Sequence, residues 1–155
     1  MNEKQTKPIR VPPQVVALDH KKEIMTAAYL IAIGVAVAYA LIRAKHDSYL
    51  SHGKWKHWAF AEGVFLALIV VLGLHAIYDI NWAQTALLGP VIAVSFSIVF
   101  DGMCGVLRVG KWFYLGSKGF DAWVNAVVKG KVWAYFLFKL FWLFMFSAWY
   151  FNLIF

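Results

Sequence analysis

The sequence predicts an all-α integral membrane fold: a four-helix bundle with an interfacial loop and a short amphipathic helix between the third and fourth spans. Three observations predict it. Apolar stretches cover residues 24–42, 58–78, 84–100 and 132–155, each close to the ~20 helical residues that cross a hydrocarbon core of about 30 Å. The chain is 62% hydrophobic and only 15% charged, where soluble domains carry roughly 25% charged residues. All but one of the Lys and Arg residues lie outside the four stretches. Backbone at membrane depth must satisfy its own hydrogen bonds, which helices do and isolated strands cannot.

Residues 1–23 form a polar tail in which Pro8, Pro12 and Pro13 disfavour helix until about Val15. Residues 24–155 then form one transmembrane domain. In the first span Ala28, Ala32, Ala36 and Ala40 recur every fourth position, a small-residue stripe on one helix face that permits close packing. The triplet Ala36-Val37-Ala38 resembles a signal-peptidase site, but the 23-residue polar lead is long for a secretory signal, so the stretch reads as a span. A basic loop follows over residues 43–57.

The second and third spans are joined by the short Asp79-Ile80-Asn81-Trp82 connection and form an antiparallel hairpin. Within the third, Pro90 removes a backbone donor and crowds the carbonyl of Ala86, which predicts a kink. Residues 101–131 read as an interfacial loop with a short amphipathic helix around 120–128, and the aromatic-rich fourth span runs from there to Phe155.

Four spans place both ends of this chain on one side. The first and third loops carry nine Lys and Arg residues against five on the terminal side, which favours those loops in the cytoplasm, as in a bacterial inner membrane. The net charge of +7 fits anionic lipid headgroups better than nucleic acid, because the basic residues flank the spans. The single cysteine, Cys104, excludes an intrachain disulfide. No cofactor motif is present.

Ionisable groups in or near the spans are the functional pointers, since each is costly in hydrocarbon without a partner. Glu62 and Lys139 lie at similar depth near the first- and third-loop ends and are expected to form an intramembrane pair. His75 and Asp79, at i,i+4, share a face. His57, Glu62 and Asp101 are the candidate catalytic groups of a membrane-embedded enzyme. With Asp121 they could approach a metal, but His57 and Glu62 are five residues apart and do not share a helix face as ligands at i,i+4 would, so no metal site is expected. Arg108, Lys111, Trp112, Phe113 and Tyr114 form the candidate lipid- or partner-binding element, and Asp101 is expected to pair with Arg108.

The string Phe100-Asp101-Gly102 continuing to Asp121 lacks the Ala-Arg spacing and further aspartates of the CDP-alcohol phosphotransferases. It resembles a group of uncharacterised small polytopic membrane proteins of bacteria and phages, through Phe100, Asp101, Arg108, Trp112, Phe113, Tyr114, Gly116 and Asp121. Gly105 and Val109 depart from that pattern, at positions where Asn and Gly are expected. The resemblance implies a shared loop-side element and carries no assigned function. Three functions follow from the residues: a scaffold or accessory protein binding lipid, a partner or a second copy through that element; a membrane enzyme acting on a lipid headgroup or phosphate; and an oligomeric pore, transporter subunit or phage lysis protein.

Overall fold

The computed structural model describes residues 13–49, 56–112 and 119–152. Five helices follow one another: α1 (Pro13–Tyr49), α2 (Lys56–Tyr78), α3 (Trp82–Val109), α4 (Gly119–Val127) and α5 (Val132–Asn152). All but α4 contain a segment long and apolar enough to cross a membrane, and the fold is an all-α four-helix bundle carrying one short extra helix. Large apolar side chains such as Phe65, Leu72, Phe138 and Phe144 face outward. Apolar surface this extensive, on four helices each long and apolar enough to cross a membrane, suits a hydrocarbon solvent, and the protein is a multi-pass membrane protein.

Contacts fix the helix directions. Tyr150 Oη in α5 donates to the Met25 carbonyl in α1 at 2.8 Å, and Tyr29 Oη meets Ser147 Oγ at 2.5 Å, so α1 passes the end of α5 at Met25–Tyr29, several turns after its start at Pro13. Ala40 and Ala44 of α1 pack with Phe100 and Cys104 of α3, which makes α1 and α3 parallel. Helices α2 and α5 run back against them. The bundle thus has a terminal end, holding Met25, Asn81 and Tyr150, and a loop end, holding Arg43, Glu62, Asp101 and Lys139.

The alanine stripe is the seam of the core. Ala28, Ala32, Ala36 and Ala40 are fully buried, and the stripe extends to Met25 and Ala44. Small side chains let α3 approach α1 closely, so van der Waals contact replaces the hydrophobic drive that lipid removes. Leu88 and Ile92 of α3 and Ala67, Val71 and Leu74 of α2 complete this core. Phe96 bridges three helices, stacking on Tyr39 of α1 at 5.7 Å between ring centroids and lying against Gly63 of α2.

Several boundaries differ from those the sequence predicts. Helix α1 begins at Pro13, inside the expected polar tail, where Pro is tolerated in a first turn because its missing N–H would be unpaired anyway. It then continues to Tyr49, so Arg43, Lys45 and His46 are helical rather than loop residues. Helix α3 continues through Pro90 and nine residues past Phe100, to Val109. No proline interrupts 101–109, and Gly102 and Gly105 are buried on its packed face. Gly110 ends the helix, with φ 68° in the left-handed region and its N–H bonded to the Val106 carbonyl at 2.9 Å. The expected interfacial segment is therefore the last turns of α3, the amphipathic α4 and the corner before α5.

Candidate functional site

The loop end concentrates the charged groups that lie within the bundle, and the structure pairs them differently from the sequence expectation. Glu62, in the second turn of α2, faces α1: its Oε2 accepts from Tyr39 Oη at 2.9 Å and stands 3.4 Å from Arg43 Nε. Lys139, in α5, faces α3, where it pairs with Asp101 Oδ2 and reaches the Ser97 carbonyl at 3.5 Å. In place of one Glu62–Lys139 pair there are two ion pairs across different seams. The cause is helix length: α1 carries Arg43 one turn past Tyr39, while α3 carries Asp101 inside a helix that α5 faces.

The two pairs differ in environment. The Glu62 side chain is 42% exposed, so its ion pair contributes at most about 1 kcal/mol. The Lys139 side chain is 9% exposed. Its Nζ lies 4.1 Å from the Tyr135 ring centroid and 5.4 Å from that of Phe136, cation–π contacts that help hold the ammonium at this depth. Ser97 and Asp101 sit one turn apart on α3 and together supply two acceptors.

Asp101 also displaces the expected Asp101–Arg108 pair. Arg108 is exposed in the last turn of α3, two turns beyond Asp101, and Lys111 is exposed just past the Gly110 cap. Trp112 folds back on α3: a Cβ added at Gly102 would fall on its indole ring. Phe113 and Tyr114 of the candidate element, Gly116 of the resemblance pattern, and the side chains of His57 and Asp121 lie outside the described residues. Among the described residues no three His, Cys, Asp or Glu side chains group as a metal site.

Past this point α4 buries Val124 and exposes Trp123 and Val127. It closes with Lys129 N bonded to the Ala126 carbonyl at 3.2 Å and Gly130 N to the Asn125 carbonyl at 3.0 Å, a Schellman turn in which Lys129 (φ 52°) and Gly130 (φ 75°) are both left-handed. That turn presents Lys129 and Lys131 outward beside the exposed Trp133 at the start of α5.

At the terminal end His75 does not bond Asp79. Its Nδ1 lies 3.1 Å from Thr85 Oγ1, and its ring packs on Trp82 at 3.9 Å. Thr85 Oγ1 also lies 3.0 Å from the Asn81 carbonyl, an acceptor for its hydroxyl proton. Asn81 caps α3 by accepting from Ala83 N at 2.9 Å. Asp79 instead ends α2 in the left-handed region, φ 49°, which Asp tolerates better than most side chains.

Tyr39 and Arg43 are the residues that sequence reasoning missed. A signal for both was present, because Ala44 extends the every-fourth alanine stripe a turn beyond the apolar stretch and so keeps the helix intact through Arg43. No family model, curated protein or solved structure matches the chain.

Proposed function

We propose that the protein is a non-enzymatic multi-pass scaffold or accessory protein, of the bacterial inner membrane, which docks to anionic lipid headgroups through its loop end. The observation that carries this reading is the distribution of charge there. Glu62 and Asp101, the acids an enzyme would need, are each engaged by a cation across a separate helix seam. Arg108, Lys111, Lys129 and Lys131 point outward, and none has a carboxylate partner among the described residues. Trp112, Trp123 and Trp133 accompany them, and Trp at the headgroup level with Lys and Arg is the composition of a membrane-interface anchor.

The test is lipid-dependent stability of the purified protein. Anionic lipid raises the unfolding free energy, and Arg108→Gln with Lys111→Gln removes about 1 kcal/mol of that gain per charge. High salt mimics the substitutions, while Glu62→Gln leaves the lipid response intact. Stabilisation indifferent to both charge removal and salt overturns the docking reading. A stoichiometric divalent metal lost on Asp101→Asn without unfolding would replace it with an enzyme.

A further inference from the structure

We infer that the loop end holds a discrete site for one phospholipid bearing two phosphodiesters, seated across the α3–α5 seam; this rests on the docking reading and gives it a ligand class. The argument is one of register. The Asp101–Lys139 contact fixes how antiparallel α3 and α5 lie side by side. Arg108 is seven residues beyond Asp101, so it returns to the same face of α3 within about 20° and stands about 10 Å nearer the loop end. Seven residues back from Lys139 is Val132, which by the same arithmetic is level with Arg108 on the face of α5 that meets α3. Lys131 immediately precedes it.

Four exposed cations therefore gather at similar height on the loop end: Arg108 in the last turn of α3 with Lys111 just past it, and Lys129 and Lys131 in the turn that leads into α5. Packed helix axes are roughly 8–10 Å apart, so each pair can take one phosphate of a lipid whose two phosphates are joined through glycerol. A lipid with a single phosphate can engage only one pair. The left-handed turn at Lys129 and Gly130 holds the second pair in place, and Trp112 packed over Gly102 holds the chain after Lys111 against α3. Toward the bilayer centre from the cations, the exposed Val106 and Leu107 of α3 and Trp133 and Leu137 of α5 lie on the outer flanks of the two helices, away from the Asp101–Lys139 face, where acyl chains can run. The only described carboxylate at this seam, Asp101, is already neutralised by Lys139.

The experiment uses the full chain purified in neutral detergent, titrated with cardiolipin, with phosphatidylglycerol at matched phosphate concentration, or with inorganic phosphate. Lipid adducts are counted by native mass spectrometry and stability by the unfolding midpoint. One cardiolipin retained per chain is expected, with the midpoint shift saturating at one equivalent. Replacing one cation of each pair, in Arg108→Gln with Lys131→Gln, should weaken the apparent cardiolipin affinity roughly thirtyfold, from about 1 kcal/mol per charge. Lys21→Gln, on an exposed residue at the terminal end, should leave affinity unchanged. Arg108→Lys, which keeps the charge without the guanidinium fork, should retain most of it. Equal response to the two lipids per phosphate, with no one-to-one adduct, overturns the site while leaving headgroup docking intact. No response to either lipid overturns both, and an equal response to inorganic phosphate overturns the lipid assignment.

Discussion

Gly102 is the clearest case of a single residue fixed by its neighbour. A Cβ there collides with the Trp112 ring, a rigid group that cannot bend aside as a flexible chain end would, so Gly102→Ala should cost about 1–3 kcal/mol as an overpacking substitution. In a Trp112→Ala background the collision is gone, and the same change should become neutral or stabilising by about 0.5–1 kcal/mol, since alanine is the better helix former. An equal loss in both backgrounds, read from unfolding in detergent, would refute the contact. Lys129 makes the converse case: it occupies a left-handed position that glycine fills at lower cost, so Lys129→Gly in lipid-free detergent should raise stability by up to about 1 kcal/mol. At this scale the sequence told which residues mattered better than what they touch. Glu62, Asp101 and Lys139 all take part in ion pairs, but pairing depends on helix rotation and length, and a shift of one turn in where α1 and α3 end reassigns every partner.

Between elements, the two ion pairs make unequal ties. Lys139 is buried, so Lys139→Met strands the Asp101 carboxylate and should cost about 3–5 kcal/mol, while adding Asp101→Leu should recover much of that loss, because the abandoned charge is the larger penalty. Glu62→Gln, at a half-exposed site, should cost at most about 1 kcal/mol, and its effect should add to that of Lys139→Met within about 0.5 kcal/mol, as for residues that share no partner. Coupling between Glu62 and Lys139 in that cycle would return the pairing to the simpler one that depth alone suggests. The alanine seam is the stronger tie. Ala36 is wholly buried against the core, so Ala36→Leu should force α1 and α3 apart, whereas Gly34, with open space around it, should accept Leu without loss of folding. The stripe was legible because a period of four places residues on one face whatever surrounds them. The end of α3 was not, because hydropathy falls at Asp101 while the backbone continues helical until a left-handed glycine stops it.

For the whole molecule, alternating helix directions bring the α1–α2 and α3–α5 connections to one end. Single cysteines at positions 50 and 118, in a Cys104→Ser background, should label from one side of the membrane and those at 5 and 81 from the other; labelling of 50 and 118 from opposite faces would be incompatible with four spans. Bundle class and span number could be read from apolar length alone, since hydrocarbon permits few alternatives. The interior arrangement could not, because in lipid nearly every face is apolar and hydrophobic pattern no longer tells inside from outside. The parallel pairing of α1 with α3 also bears on how the chain is made. Partners joined by a hairpin can meet as soon as the second emerges, but parallel partners must wait for an intervening helix to cross back. The alanine face of α1 lacks its main partner until α3 has been synthesised, and the Tyr150 and Ser147 clasps onto α1 form only when α5 arrives. A chain arrested after α2 therefore holds its first helix only through the Tyr39 and Arg43 contacts to Glu62 and the thin α1–α2 interface, with most of the alanine stripe uncovered.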